Sequence, residues 1–489
     1  MTSSDTMANL MQLQMYPSMD SQITYSDTEK IYGNPLNLNH YIQCQLVLEQ
    51  YSEIQKHRES NSVPTHMEST LTLQPKSTSF VYRPRIPSSL KLDLRHFNQI
   101  ITINPTNLEA HVQGMCTFYD LFTACVPLEV MPKIVPELRG ITVGGAYVGV
   151  GVESRSWLDG LFHETVSEIE VLIGNGKIVR CSPTTYPDLF YGMVNSYGTL
   201  GYILSMRIQL MKIKPYVDVT YLHFSEPHKF FEKIKDICNN SGSTGNMDFV
   251  DGLISSADHQ TLVVGKLVDN PSYLMAPNYV TDAIYYKSIQ NKTSETSETF
   301  TITDYVWRWD RDSFWSTTGT IMESWIVRKT FGFYFLRTDR LIGFRKWFSL
   351  PPQTEELIQD IGIPLNRCTE FFKWYNEEIN MYPIFICPIK PNGGNCPLWK
   401  TPRNQMYCDF GFFGRKSSPS LDPNYYNKLI ENHIMSLGGI KSLYSKTFYD
   451  KDTFEGLYYG GDSYLKLKDT YDTNHILPML YNKVCNISS

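Results

Sequence analysis

The chemistry that this sequence could perform is concentrated in one glycine-rich stretch. Between Arg139 and Val166 the chain reads RGITVGGAYVGVGVESRSWLDGLFHETV, in which a glycine pair is followed by two further glycines and two serines. Because glycine has no Cβ, successive backbone N–H groups can converge on an anion, and a pyrophosphate is a natural ligand of such a nest. The stretch therefore predicts a binding site for a phosphorylated cofactor.

Two common phosphate-binding motifs do not describe this stretch. The dinucleotide-binding fingerprint G-x-G-x-x-G must open a helix, but the chain from Gly149 reads GVGVES and no clear helical repeat follows. A Walker A loop is excluded because the sequence contains no Gly-Lys-Ser or Gly-Lys-Thr. A structural interpretation, in which the glycines permit tight turns or close packing, stays open at this point.

Length and composition indicate a large globular protein without an electrostatic signature for nucleic acid. The 489 residues are 42% hydrophobic and 13% aromatic, which is enough for a sizeable core divided among two or three domains. The formal net charge is −6, and no basic stripe overrides this average. We therefore expect no nucleic-acid partner.

The cysteines and the N-terminus predict a soluble protein in a reducing compartment, the cytoplasm. Ten cysteines are scattered without a Cys-x-x-Cys pair or a histidine cluster at zinc spacing, so we expect free thiols and no metal site. The N-terminal MTSSDTMANLMQLQMYPSMDSQITYSD lacks the basic and apolar regions of a signal peptide. No run of about 18 apolar residues, the length that a membrane span requires, occurs in the sequence.

The first part of the chain divides into a polar region and a region of short strands. Residues 1–60 are polar at first and then periodic enough for one helix, in LNHYIQCQLVLEQYSEIQKH. Residues 61–215 alternate β-branched runs with turns and include a helix for which Thr117 is the candidate N-cap. Asn175-Gly176, between two alternating apolar runs, predicts a hairpin with a type I′ turn.

The remaining residues, 216–489, predict a separate α+β domain. They begin with a strand, a helix opened by Pro227 and two more strands, an order that builds an antiparallel sheet with helices on one face. The last predicted element is the helix PNYYNKLIENHIMSL.

These motifs together resemble a known family. The segments TVGG, GVGVES, GLFHE and NSYGTLGY occur in the order and spacing found in FAD oxidoreductases of the vanillyl-alcohol-oxidase type. Within that superfamily the sequence is most similar to the Δ24-sterol reductase (seladin/Diminuto) group, over about residues 70–485. The segments DYVWRWDRDSFW and YPIFICP also resemble the cap of that group.

The resemblance implies an α+β fold in two parts: a PCMH-type FAD-binding domain at residues 61–215 and a substrate cap, an antiparallel sheet plus helices, in the region that follows. Thr142 to Ser154 would lie along the FAD pyrophosphate and towards the isoalloxazine ring, Gly160 would allow the next turn, and GTLGYI would pass the adenosine half. Ser77 to Phe80 occupy the place of an earlier pyrophosphate loop. The implied FAD-binding residues are Thr142, Val143, Gly144, Gly145, Ala146, Gly149, Val150, Gly151, Val152, Glu153, Ser154, Gly160, Gly198, Leu200, Gly201 and Ile203.

Two departures from the group shape what we expect of this chain. Sterol reductases of the group begin with an apolar anchoring helix, whereas this N-terminus is polar, so we expect no integral membrane span and only transient membrane contact. Some flavoproteins of the superfamily attach FAD through a histidine, but His163 stands in the GLFHE context and not in an attachment sequence. We therefore expect non-covalent FAD, with NADPH as the reductant that the resemblance implies.

Reducing a carbon–carbon double bond requires a hydride at one carbon and a proton at the other, and a flavin provides the hydride. Candidates for the proton side are Tyr382, in YPIFICP, and Arg308, in WRWD, a cation able to lower the pKa of a nearby phenol. In the alternative interpretation, Tyr382 serves packing and Arg308 pairs with Asp310 or Asp312.

The aromatic residues around WRWD have two interpretations. They are either the apolar wall of a substrate pocket or part of the core. If they line a pocket, its substrate is a small apolar molecule of sterol or isoprenoid size. The residues are Tyr305, Trp307, Trp309, Phe314 and Trp315.

Three functions stay open. The first is an FAD-dependent oxidoreductase that reduces a carbon–carbon double bond of an apolar, sterol- or isoprenoid-like substrate. The second is an FAD-linked oxidase or dehydrogenase of an alcohol, which would share every FAD-binding residue. The third is a flavin-less interaction protein on the same scaffold; the absence of bulk at Gly145 and Gly151 argues against it. The oligomeric state is left open.

Overall fold

The computed structural model describes ten stretches of the chain. They are residues 35–60, 70–74, 88, 90–239, 247–311, 321–336, 354–393, 396–402, 405–419 and 422–485. The chain divides into two compact units, Met1–Leu46 and Val47–Ser489, and both large β-sheets lie in the second. Helix α1 (Pro35–Ser60) confirms the helix predicted near the N-terminus.

Short alternating segments form the first sheet, as predicted. The strands of this half are β1 (Thr72–Leu73), β2 (Lys91–Leu92), β3 (Ile100–Asn104), β4 (Glu109–Gln113), β5 (Val130–Pro132), β6 (Val166–Ile173), β7 (Ile178–Cys181) and β8 (Gly201–Lys212). The order in the sheet is β3-β4-β8-β6-β7, and β5 also pairs with β8. All pairs in this sheet are antiparallel, whereas β1 and β2 form a separate parallel pair. Strand β8, the longest of the set, is therefore the centre of the sheet.

The hairpin between β6 and β7 lies where Asn175-Gly176 predicted it, but its turn differs from type I′. Ile173 N donates to Lys177 O at 3.0 Å, and Gly176 N donates to Ile173 O at 3.0 Å. Gly176 has a φ of 74°, while Asn175 is not among the residues with positive φ. Type I′ needs positive φ at both central residues, so this connection belongs to the three-residue class that ends in a left-handed glycine.

Helices of the first half join these strands. Their bounds are α2 (Phe118–Cys125), α3 (Val143–Gly149), α4 (Ser156–Asp159) and α5 (Pro187–Gly192). Thr117 is the N-cap of α2, as predicted, because its side chain accepts a hydrogen bond from Asp120 N at 3.1 Å. The glycine-rich stretch itself begins as helix α3, which the sequence did not predict.

The second half forms an eight-stranded antiparallel sheet. Its strands are β9 (Tyr216–Phe224), β10 (Phe249–Ser256), β11 (His259–Val268), β12 (Thr296–Thr301), β13 (Thr354–Pro364), β14 (Ile384–Ile389), β15 (Tyr407–Ser417) and β16 (Ile440–Lys441). Their order is β12-β9-β11-β10-β14-β15-β13-β16. The helices of this half are α6 (Pro227–Asn239), α7 (Tyr285–Gln290), α8 (Ile302–Val306), α9 (Trp325–Phe335), α10 (Cys368–Glu378) and α11 (Tyr425–Ser436). The predicted strand, helix and two strands after residue 215 are confirmed as β9, α6, β10 and β11.

The two faces of this sheet serve different purposes. Successive side chains of a strand point to opposite faces. On one face, Ile361, Ile386 and Phe410 pack with residues of α6 and α10 in a buried core. Phe385 and Ile389, on the other face, belong to the core that includes residues of the first sheet. The sheet thus has a helix-covered face and a face directed at the first half of the chain.

The helix predicted to be last is followed by three more. They are α12 (Lys451–Tyr458), α13 (Ser463–Tyr471) and α14 (Leu480–Cys485). Helix α13 packs on the first half, where Lys468 Nζ donates to Thr199 O at 3.1 Å and Tyr471 Oη donates to Asp188 Oδ2 at 2.9 Å. The C-terminal segment therefore packs on the first half of the chain.

Within the described stretches, no helix is both long enough and apolar enough to cross a membrane.

Candidate functional site

A cavity of about 460 Å³ is lined by residues of both halves of the second unit. The first half contributes the glycine-rich stretch, the segment around Tyr197 and the beginning of β8, and the second half contributes strands β13, β14 and β15. Cofactor and ligand pockets usually have volumes of about 300 to 1,000 Å³. This cavity is therefore large enough to be the functional site.

Helix α3 forms part of the first wall, and its sequence explains how it begins. Thr142 is the N-cap, and its Oγ1 accepts a hydrogen bond from Gly145 N at 3.2 Å. Val143 N donates to Cys116 O and Gly144 N donates to Gly114 O, each at 2.9 Å. These N–H groups have partners within the protein, so the first turn of α3 is not an open anion nest of the kind predicted from the glycines.

Some glycines of the stretch are required by packing. A Cβ on Gly144 would lie 2.7 Å from Gly114 O, and a Cβ on Gly114 would lie 2.2 Å from Ile203 O. A Cβ on Gly151 would lie 3.1 Å from Ala146 Cβ. Helix α3, the end of β4 and the start of β8 can approach this closely only because these positions lack a side chain.

Other glycines face the cavity. Gly145 is exposed and lines the cavity, and a Cβ there would meet within 4 Å only Thr142 Oγ1, at 2.9 Å. Gly149 lines the cavity beside the ring of Tyr197, whose hydroxyl donates to Gly149 O at 3.4 Å. The glycine-rich stretch therefore combines the two interpretations, with packing at Gly144 and a surface open to a ligand at Gly145.

The opposite wall is the inward face of the second sheet. In its register Asp360 is opposite Gly411 and Gly362 is opposite Asp409, so the two carboxyl groups lie on the same face, diagonal to each other. Phe385 and Ile389 on β14 and Phe413 on β15 surround them and line the cavity. This wall is apolar apart from its two carboxyl groups.

The carboxyl groups around the cavity have raised pKa values. Burial raises the pKa of Asp360 to about 7, against an effect of the Tyr444 side chain that lowers it. Burial, together with the charges of Asp360 and Glu137, raises the pKa of Asp409 well above its ordinary value. Burial, with the charge of Glu153, does the same for Glu137 on the first wall. Raised carboxyl pKa values are common at sites that transfer protons.

Of the predicted FAD-binding residues, eleven line the cavity and five do not. The eleven are Thr142, Gly144, Gly145, Ala146, Gly149, Val150, Gly151, Val152, Gly198, Gly201 and Ile203. Val143 and Leu200 are instead buried core residues. Glu153 is buried behind the cavity and accepts a hydrogen bond from Ser154 Oγ at 2.8 Å. Gly160 follows α4 with a φ of 80°, a conformation that suits glycine at this turn.

The two residues predicted to act in catalysis are not among those that line the cavity. Arg308 is buried and forms an ion pair with Asp251, whereas Asp310 pairs with Arg139. Tyr382 Oη donates to Asn376 Oδ1 at 2.7 Å, and burial raises the pKa of Tyr382 to about 12. Arg308 and Tyr382 are thus engaged elsewhere, and their geometry supplies no contact with the cavity.

The described aromatic residues of the WRWD segment belong to the core. Trp307 is 2% exposed and packs edge to face on Phe122, with ring centroids 5.5 Å apart. Trp309 packs edge to face on Phe385 at 5.4 Å. Tyr305 is 1% exposed, and none of the three lines the cavity. Asp312, Phe314 and Trp315, and the predicted loop at Ser77 to Phe80, lie outside the described residues.

Sequence reasoning did not identify several residues of the cavity. Gly114 had a signal in EAHVQGMC, a glycine directly after an alternating strand, which indicates close backbone approach. Asp360 and Asp409 had a weaker one, because an aspartate inside an apolar strand is rarely buried without a specific reason. Tyr444 and Lys483 lie in the C-terminal segment and had none.

Comparisons with known proteins agree with this geometry. Residues 66–182, which include the glycine-rich wall, match the family model of an FAD binding domain. A Delta(24)-sterol reductase of Rattus norvegicus is 27% identical over 362 residues, which are 72% of this chain and 69% of that protein. A Delta(24)-sterol reductase of Arabidopsis thaliana is 26% identical over 66% of this chain and 59% of its own length. Cytokinin dehydrogenase 10 of Oryza sativa subsp. japonica is 22% identical over 39% of this chain and 37% of its length.

The residues that line the cavity are compatible with FAD. On the first wall, the backbone of Gly145 and Gly149 faces the cavity, in space that a side chain would otherwise occupy. Both residues lie inside the matched domain. The second wall offers an apolar surface with protonatable groups on which a substrate could meet the cofactor. The matched domain, the α+β fold and the sequence relatives together identify the chain as an FAD-dependent oxidoreductase similar to the Delta(24)-sterol reductases.

Proposed function

We propose that this protein reduces a carbon–carbon double bond of an apolar, sterol- or isoprenoid-like molecule, with non-covalent FAD and NADPH as reductant. The observation that carries the proposal is the pairing of the two cavity walls. A glycine-lined wall from the FAD binding domain faces an apolar wall that contains Phe385, Ile389 and Phe413. The sterol class and the reducing direction are drawn from the relatives, whose name is Delta(24)-sterol reductase.

The residues of this chain would divide the work between the two walls. FAD, when bound, supplies hydride transfer. Gly145 and Gly149 would hold the cofactor by presenting backbone that it can approach closely, and Tyr197 would fix the wall beside them. Phe385 and Phe413 would bind the apolar substrate and exclude water from it.

We also propose how the chain divides into domains and in which compartment it works. Residues 61–215 would form the FAD-binding domain and residues 216–489 the cap, with the C-terminal helices packing back on the first domain. All ten cysteines are free thiols, and nine of them are buried. We place the protein in the reducing environment of the cytoplasm, where it would meet apolar substrates from solution or by transient membrane contact.

Anaerobic half-reactions test the direction of the chemistry. The FAD-loaded protein is mixed with NADPH, and bleaching of the flavin absorbance is followed; a Δ24-unsaturated sterol is then added. We expect NADPH to bleach the flavin and the sterol to restore its colour. If alcohols bleach the flavin rapidly while the sterol leaves the bleached form unchanged, the alcohol oxidase or dehydrogenase function is correct instead.

The mode of FAD attachment has its own test. His163 is buried, packs edge to face against Tyr147 and is not a cavity residue, and burial lowers its pKa to about 3. Acid precipitation should therefore release all flavin into the supernatant. Flavin that remains with the precipitated polypeptide would contradict non-covalent binding, and a protein that stays colourless with added FAD would contradict the proposed enzyme.

A further inference from the structure

Asp360 and Asp409 are the two carboxyl groups on the apolar wall of the cavity. They lie on neighbouring strands β13 and β15, on one face, and both line the cavity. Their opposite partners in the register are Gly411 and Gly362, which have no side chains to cover them. The space above the two carboxyl groups is therefore open to a ligand.

The two carboxyl groups differ in their exposure and in their partners. Asp409 is 5% exposed, whereas Asp360 is partly exposed on the cavity side of the sheet. Tyr444 also lines the cavity, and the effect of its side chain on Asp360 is to lower the pKa of that carboxyl group. Burial, together with the charge of Asp360, raises the pKa of Asp409. Because Asp360 is the more exposed of the two on the cavity side, it is the member of the pair that can pass a proton into the cavity.

Other charged groups face this position from the remaining elements. Glu137 lies on the first wall and its charge raises the pKa of Asp409. Lys483, on helix α14, also lines the cavity.

On the basis of the proposed function, we propose that Asp360 is the proton donor of the reduction and that Tyr444 is its positioning residue. The π electrons of the substrate alkene form a C–H bond with the proton of Asp360 at one carbon. A hydride, delivered from NADPH by way of the cofactor, forms the second C–H bond at the other carbon. The products are the saturated substrate, oxidised NADP and the Asp360 carboxylate, which regains a proton from solvent.

The decisive experiment separates the two half-reactions in Asp360→Asn. The asparagine cannot donate a proton as a carboxylic acid but has nearly the same shape. We expect NADPH to bleach the flavin at the wild-type rate. The Δ24-unsaturated sterol should restore the flavin colour at least about 100-fold more slowly than in the wild type, which is the effect expected when a general acid is lost. The control is Glu356→Gln, a carboxylate near the other end of the same strand that pairs with Arg415 and should leave both rates unchanged.

A spectroscopic readout does not depend on turnover. Infrared spectra of the FAD-loaded protein in light and heavy water should contain a protonated carboxyl band that Asp360→Asn removes and Glu356→Gln retains. Asp360→Glu, which keeps the acid, should restore part of the sterol half-reaction.

Tyr444→Phe tests the positioning role. Its hydroxyl lowers the pKa of Asp360, so its loss should raise that pKa and move the high-pH decline of the sterol half-reaction to higher pH. A purely structural role would change the rate without this shift.

The outcomes separate this inference from the proposed function. If the sterol reoxidises the bleached flavin of Asp360→Asn at the wild-type rate, the assignment of Asp360 is overturned while the reductase function stands. A wild-type protein in which neither half-reaction occurs would overturn the proposed function itself. A Tyr444→Phe protein with an unshifted pH profile would overturn the positioning role.

Discussion

Gly144 and Gly114 are in direct backbone contact: Gly144 N donates to Gly114 O at 2.9 Å, and a Cβ on Gly144 would lie 2.7 Å from that oxygen. The adjacent Gly145 has the opposite surroundings, because it is exposed to the cavity and a Cβ there would meet only Thr142 Oγ1 within 4 Å. Two neighbouring glycines thus have different surroundings, one packed against backbone and one open to the cavity.

This difference predicts separable effects of valine at the two positions. Gly144→Val forces backbone apart and should lower the free energy of unfolding of the FAD-free protein by about 1 to 3 kcal/mol or more. Gly145→Val places its side chain in the cavity and crowds only Thr142 Oγ1, so it should lower that stability less than Gly144→Val does and abolish FAD binding. Urea unfolding and FAD titration, applied to both variants, measure the two effects. Wild-type FAD affinity in Gly145→Val would show that the cofactor does not lie against this wall.

The buried ion pair between Arg308 and Asp251 leads to a second prediction, which concerns the free energy of unfolding. Asp251 is fully buried and also accepts a hydrogen bond from Trp309 Nε1 at 3.2 Å. Asp251→Ala leaves the Arg308 guanidinium without its partner, which should lower the free energy of unfolding by about 3 to 5 kcal/mol. Asp269→Ala, which breaks the exposed pair with Lys214, is the control and should cost less than about 1 kcal/mol. Equal small losses in both variants would show that the buried pair is not structural.

The sequence predicted the elements whose signals are local. The N-cap at Thr117, the hairpin at Asn175 and the helix opened by Pro227 each depend on residues within a few positions, and all three occur. Strand β13, in contrast, begins TEEL and carries three acidic residues in eleven, so its composition does not indicate a strand. It forms because its alternate residues Ile361 and Ile363 complete a buried core.

The site was predictable on one wall only. The glycine-rich stretch carries a short-range motif, and eight of its predicted residues line the cavity. The opposite wall depends on the register between β13 and β15, which places Asp360 and Asp409 together although 48 residues separate them along the chain. Strand register is set by tertiary packing, so no local pattern could reveal this pair. The partner of Arg308 was equally hidden, because Asp251 is 57 residues away along the chain, whereas the sequence suggested only the nearby Asp310 or Asp312.

The aromatic residues predict a contrast between binding and stability. Phe413 is half-buried and lines the cavity, whereas Trp307 is 2% exposed and packs in the core. Phe413→Ala should weaken binding of a sterol to the FAD-loaded protein with little change in thermal stability. Trp307→Ala should instead lower the free energy of unfolding by about 3 to 5 kcal/mol. Ligand titration and thermal unfolding of both variants test this, and a stability loss in Phe413→Ala equal to that in Trp307→Ala would contradict it.

The buried Glu153 predicts how stability depends on pH. Burial raises its pKa to about 7, while a glutamate in the unfolded chain titrates at about 4.3. The native state therefore binds more protons between these values, so the stabilisation is fully present below about pH 4.3 and is lost as the pH rises through about 7. Glutamine cannot ionise, so the stability of Glu153→Gln relative to the wild type should increase over this range, by roughly 4 kcal/mol at most from this group. The charge of Glu153 also raises the pKa of Glu137, so its removal lowers that pKa and adds to the same trend. Urea unfolding of both proteins at a series of pH values measures this difference in stability. The control is Glu232→Gln, at an exposed position on helix α6. A difference that does not change with pH would contradict the raised pKa of Glu153.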